Sequence, residues 1–239
     1  LAARPDNPKG ITDWADLAKE GVEVITPDPA TSGGAQWNIL AAVGAARRGH
    51  VPGFEDEADT NSFLRALIPN ILVLDRDGRE SFLTFDRGIG DVAITYENEV
   101  YAGLAAGGEY TVIYASSTIL IENPVAVIDT YVDAHGTREV AEAFVKFLWT
   151  PEAQAVYASK GFRPVNPIVA AAYGLPVDAE ATAEPAAEEV SIEVNPDITF
   201  PAIEDQFTVI DEYGGWGDAR AIYFGDEGAF AKIIAEVQG

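Results

Sequence analysis

Apolar positions along the chain alternate between two periods, and the alternation predicts strands and helices in turn. Val22-Glu-Val-Ile-Thr26 is alternating and β-branched, which predicts a strand. Ile71-Leu-Val-Leu74 predicts a second strand and Asp91 to Tyr96 a third, with Tyr110 to Tyr114 and Val125 to Ile128 as further strands. Helical spacing falls between them. A short helix is expected from Ile11, with Thr12 as its N-cap and Trp14, Leu17 and Ala18 on its apolar face, ending at Gly21. A longer helix is expected from about Ala35 to Arg48, a polar one around Phe63, Leu64 and Leu67, and another from about Glu97. Glu139 to Trp149 carries Val140, Phe144, Val145 and Leu148 on one side. Thr150-Pro151-Glu152 then supplies an N-cap and an N1 proline for a helix closed by Gly161. This hairpin reads as core scaffold, and Trp14, Trp37, Trp149 and Trp216 as packing residues. A last helix is expected near Gly228 to Val237. Strands alternating with helices predict an α/β fold with a largely parallel sheet.

Between about Asp178 and Pro196 the pattern breaks into Ala, Glu and Pro, which predicts a poorly packed surface insertion. Charge changes the picture further. Lys and Arg total 15 against 39 Asp and Glu, a formal net charge of −24. Such a chain is repelled by nucleic acid and by anionic membrane surfaces, so neither is an expected partner. It can still hold an anion where backbone N–H groups cluster, because distant charge is screened. The absence of cysteine rules out disulfides, thiolate metal sites and cysteine nucleophiles. His50 and His135 stand apart in loop-like contexts and read as surface residues, and no acidic loop has calcium-type spacing, so no metal or other cofactor is expected.

Chemistry concentrates in Thr26-Pro-Asp-Pro-Ala-Thr-Ser-Gly-Gly-Ala-Gln-Trp-Asn38. A strand runs into a Ser-Gly-Gly turn and a helix opens directly after it. The glycines let backbone approach a ligand, the first helical turn presents unpartnered N–H groups, and Ser32 adds a hydroxyl. That suits a small oxyanion, although the same pattern also describes an ordinary turn with an N-cap. The stretch is not a Walker loop, since Gly-Lys-Ser/Thr is absent, nor a nucleophile elbow, since Gly-x-Ser-x-Gly is absent.

Asn7-Pro-Lys-Gly-Ile-Thr-Asp-Trp14 and the stretch from Val24 to Asn38 resemble the prokaryotic sulfate/thiosulfate-binding proteins. So do Arg87-Gly-Ile-Gly-Asp-Val92, Tyr96-Glu-Asn-Glu99, Asn123-Pro-Val-Ala-Val127, Asp133-Ala-His-Gly-Thr-Arg-Glu-Val-Ala141, Gly214-Gly-Trp216 and Phe224-Gly-Asp-Glu-Gly228. The resemblance implies a type II periplasmic binding protein fold of two α/β lobes, with mixed, largely parallel sheets flanked by helices, closing on a dehydrated sulfate held by neutral donors. It implies residues 1–110 as mainly the second lobe, 111–165 as crossover strands and helix hairpin, and 166–239 as a segment packing back. By position it implies Ser32, Gly33 and Gly34 as the centre of the site. Gly78 stands where the family uses an alanine amide, and Tyr96 where it uses an indole N–H.

The resemblance further implies a non-enzymatic, exported receptor in the periplasm or outside the cell, delivering sulfate or a related oxyanion to the permease of an ABC transporter. More of the first lobe is expected ahead of Asn7 than this chain carries, so either the chain is a fragment, or the missing part lies on another chain or was never built; a monomer is expected unless that part lies on another chain. Asp28, Ala30 and Gln36 depart from the family's motif, in which two of these positions are basic. Two other classes stay open. One is an enzyme using carboxylates such as Glu97 and Glu99. The other is a degenerate binding fold with a structural or interaction role.

Overall fold

The computed structural model describes residues 1–54, 61–177, 191–225 and 227–238. In chain order the elements are β1 (Ala2–Ala3), a 3-10 turn (Trp14–Ala18), β2 (Val24–Pro27), α1 (Gly33–Arg47), α2 (Ser62–Leu67), a second 3-10 turn (Ile68–Asn70), β3 (Ile71–Asp75) and α3 (Gly78–Asp86). There follow β4 (Val92–Ala93), α4 (Glu97–Ala105), β5 (Thr111–Val112) and β6 (Ser117–Ile119), then α5 (Asp129–His135), α6 (Arg138–Phe147), α7 (Pro151–Ala158) and α8 (Pro167–Ala172). The chain ends with β7 (Asp205–Phe207), α9 (Val209–Tyr213), α10 (Trp216–Tyr223) and α11 (Ala229–Gln238). It divides into two compact units, one of Leu1–Ile121 with Ile203–Gly239 and the other of Glu122–Ala202.

The first unit is built on a five-stranded sheet in the order β3-β2-β4-β1-β5. Strands β3, β2 and β4 are mutually parallel, with Val24 opposite both Ile71 and Val92, whereas β1 runs antiparallel to β4 and β5. All four residues of β2 are buried, as a central parallel strand requires. Helix α1 is buried along most of its length, with Ile39 and Leu40 fully enclosed. Burying one such side chain is worth about 1.5–3 kcal/mol. Its Asn38 amide donates to the Thr26 hydroxyl (3.1 Å) and the Ile94 carbonyl (2.8 Å), fixing the helix to the ends of β2 and β4.

At the other end of α1, Arg48 grips Asp205 through two bonds of 2.6 Å, and Asp205 also accepts from the Ser117 hydroxyl at 2.6 Å. The guanidinium, and after it that hydroxyl, hold the Asp205 carboxyl well below the usual carboxylate range. The clamp ties α1 to the parallel pair β6–β7.

Several expectations are corrected here. The cap of the first turn is Asp13, which accepts from the Trp14 N–H at 2.8 Å, and not Thr12. Thr12 instead donates its backbone and hydroxyl hydrogens to Asp16 (2.6 and 2.7 Å). Residues 125–128 form no strand: they follow Pro124, have no ladder to join, and lead into α5.

In the second unit, Thr150 caps α7 by accepting from the Ala153 N–H (3.3 Å), and Gly161 closes it at φ +86°. Both features were expected. Helix α6 forms as its spacing predicts, but it contains no buried residue. Val140 and Phe144 are exposed, as are Phe147 and Trp149, so neither a core role for this stripe nor a packing role for Trp149 is seen. Periodicity specifies the helix, while burial needs a facing surface. Residues 178–190 of the acidic insertion lie outside the described residues.

Candidate functional site

Three helices of the first unit begin just past the carboxyl ends of three adjacent parallel strands: α1 after β2, α3 after β3 and α4 after β4. In open α/β sheets this edge is where ligands bind. A cleft of about 220 Å³ lies there, lined among others by Ser32, Gly34, Gly78, Arg79, Tyr96 and Glu99. One water needs about 10–15 Å³ of such space, so the cleft has room for a tetrahedral oxyanion.

Ser32 is the N-cap of α1 and is buried. Its hydroxyl oxygen accepts from the Ala35 N–H at 3.3 Å, which leaves the hydroxyl hydrogen to donate. The N–H groups of Gly33 and Gly34, the next two residues, find no acceptor among the described residues. A Cβ on Gly34 would lie 3.0 Å from the Tyr96 hydroxyl and 3.4 Å from the Ser32 hydroxyl, so these three groups meet at one point. Gly78 opens α3 behind the cap Asp77, whose carboxylate accepts from the Glu80 N–H at 2.9 Å. Tyr96 is the residue before α4. Burial, and after it the charge of Glu99, pushes its phenol up from the ordinary value, so at neutral pH it is an uncharged hydroxyl. Ser32, Gly34, Gly78 and Tyr96 thus line one cleft, with Gly33 adjoining it.

Three features of the loop were not legible as site-builders. Asp28 turns its carboxylate onto the Ala30 N–H (2.8 Å), while its carbonyl accepts from Thr31 (3.1 Å) and Ser32 (2.8 Å). It shapes the turn with a charge already engaged. The Thr31 hydroxyl donates to the Arg76 carbonyl (2.8 Å), and the Asp28 N–H to the Asp75 carbonyl (2.8 Å), bracing the loop against the end of β3. Gln36 donates to the Pro29 carbonyl (3.1 Å) and accepts from Arg220 (3.2 Å), so it works as a neutral brace.

Arg79 and Glu99, which line the cleft from α3 and α4, pair at 3.2 Å. Asp77 pairs with Arg76, also at 3.2 Å. Each carboxylate at the rim therefore has a partner, although at this exposure such pairs add little stability. A larger hollow of about 500 Å³ lies elsewhere in the first unit, lined by Asp13, Asp16, His50 and Glu204 among others. Its three carboxylates disfavour an oxyanion. Glu97 and Glu99 stand in the first turn of α4, where negative charge suits the helix dipole, and Glu99 is committed to Arg79.

Residues 1–163 match the family model described as bacterial extracellular solute-binding protein. The chain belongs to that family. It is 41% identical over 239 residues to a sulfate-binding protein of Synechococcus elongatus, covering all of this chain and 61% of that protein. It is 34% identical over 235 residues to a thiosulfate-binding protein of Pseudomonas aeruginosa, covering 97% of this chain and 62% of the relative. The chain therefore spans about three fifths of the length of these curated relatives. Among solved structures, the sulfate-binding protein SubI from Mycobacterium tuberculosis H37Rv superposes with a TM-score of 0.71 at 35% identity, covering 92% of this chain and 66% of that one. The α/β architecture is that of an extracellular binding protein of type II.

Proposed function

We propose that this chain is the anion-holding part of an exported receptor that captures sulfate, or thiosulfate, for an ABC importer. One observation carries the reading: the starts of α1, α3 and α4 converge on a single cleft, with the Gly33 and Gly34 N–H groups and the Ser32 hydroxyl hydrogen left to donate. Sulfate is fully deprotonated at neutral pH and only accepts hydrogen bonds, so a set of fixed neutral donors fits it without a counter-charge. Ser32, Gly33, Gly34, Gly78 and Tyr96 are the binding residues in this reading. The names of the relatives, which bind sulfate or thiosulfate, support the ligand class. Capture, not turnover, is the proposed chemistry. A permease partner and a location outside the cytoplasm belong to this reading, which the family's description as extracellular solute-binding supports. Residues 1–110 would form most of the lobe bearing the anion loop, with 111–165 and 166–239 as the crossover and returning segments.

Calorimetric titration of sulfate into the intact protein, in buffer free of other oxyanions, tests this. Saturable binding at one site with a dissociation constant in or below the micromolar range, about 8 kcal/mol or more, is expected. Absence of heat and of any melting shift at millimolar sulfate would favour a binding fold without its ligand.

A further inference from the structure

Tetrahedral oxyanions of similar size differ chiefly in whether they carry a proton. Sulfate carries none at neutral pH, whereas phosphate carries one or two. A cleft built only of donors leaves the anion's O–H hydrogen facing other hydrogens, and a buried polar group without a partner is costly. Discrimination of this kind reaches about ten-thousandfold to a hundred-thousandfold when every polar group is fixed.

The cleft described above is not donors only. The Tyr96 hydroxyl would be 3.0 Å from a Cβ on Gly34, beside the Ser32 hydroxyl, and it takes no protein hydrogen-bond partner among the described residues. The Ser32 oxygen spends one of its two lone pairs on the Ala35 N–H, which orients the hydroxyl and leaves its hydrogen free to donate. The Glu99 carboxylate is engaged by Arg79, and Asp77 by Arg76 and the Glu80 N–H. Both hydroxyls at Gly34 keep a hydrogen and an open lone pair, but the Ser32 oxygen is oriented by its bond to the Ala35 N–H, whereas the phenol has no protein partner among the described residues and is free to turn either way. It can donate to a bare anion oxygen or accept from a protonated one, at no electrostatic cost to the anion.

We propose that Tyr96 is a specificity-determining residue that opens the cleft to hydrogen-bearing tetrahedral oxyanions of the hydrogen phosphate class alongside sulfate. The inference rests on the proposed function, because it concerns the same cleft.

Sulfate and inorganic phosphate are titrated separately into the intact protein at neutral pH, and again into Tyr96→Trp and Tyr96→Phe. The indole of Tyr96→Trp keeps a donor and loses the acceptor; Tyr96→Phe loses both. In the unaltered protein phosphate is expected to bind within about a hundredfold of sulfate, well short of donor-only discrimination. In Tyr96→Trp the ratio of the two constants should shift against phosphate by about tenfold or more, the weight of one hydrogen bond, with sulfate affinity largely kept. In Tyr96→Phe both constants should weaken. A merely structural tyrosine would move both constants in parallel and leave the ratio fixed in Tyr96→Trp, which overturns the proposal. Sulfate binding with no phosphate binding in the unaltered protein overturns it while leaving the proposed function standing. Binding of neither anion overturns both.

Discussion

Gly34→Val is expected to weaken sulfate binding by more than about a hundredfold while the fold is kept. The glycine sits in the first turn of α1 at an ordinary helical φ, so the backbone accepts a side chain there. The space does not. A single Cβ already approaches the Tyr96 hydroxyl to 3.0 Å and the Ser32 hydroxyl to 3.4 Å, and the two methyl groups of valine would extend further over the same ground. They would cover the Gly33 and Gly34 N–H groups of the proposed site. Hydrogen bonds to a charged group are worth about 1.5–3 kcal/mol each, and losing even one or two reaches the hundredfold range. Titration with sulfate, with circular dichroism as the check on folding, measures the effect. Unchanged affinity in a folded variant would move the anion away from this helix.

Gly44→Ala is expected to have the largest effect on stability, and with a sign opposite to the usual one. In the interior of an exposed helix this substitution stabilises by up to about 1 kcal/mol. Here the added Cβ would overlap the ring of Phe207 and lie 2.9 Å from the Tyr213 hydroxyl. Both rings are buried, and the hydroxyl is committed to the Leu40 carbonyl at 2.6 Å, so neither can step aside cheaply. Overpacking of this kind costs about 1–3 kcal/mol beyond the helix gain. The melting temperature should fall by several degrees, at about 2–4 °C per kcal/mol for a domain of this size. A rise on thermal denaturation would show that the α1–β7 contact is looser than described.

Much of the site was legible because its signals are local. Ser32 before Gly33-Gly34 announces a helix start, and the helix begins at Gly33, two residues ahead of the expected position, with Ser32 as its cap. Thr150-Pro151 and Gly161 were readable for the same reason. Helix α3 was missed although Asp77, three residues before Glu80, carries a capping signature, since Asp77-Gly78 also reads as a turn. What pattern could not supply is adjacency. Tyr96 meets Gly34 only because β4 lies beside β2 in the sheet, and Arg79 reaches Glu99 only because α3 and α4 begin at the ends of β3 and β4, the two strands that flank β2. The exposed stripe of α6 shows the converse limit: Val140 and Phe144 specify a helix face, and nothing in their spacing states what covers it.

The central claim is that the anion is held by backbone N–H groups where α1 and α3 begin. Selective isotope labelling of glycine, followed by sulfate titration observed in amide NMR spectra, tests it most directly, since 22 glycines give a spectrum small enough to assign. The account predicts that the Gly33, Gly34 and Gly78 signals shift together and saturate with the calorimetric constant, while Gly49, just past the opposite end of α1 in the same unit, stays still. Saturable sulfate binding with those three signals unmoved would contradict it.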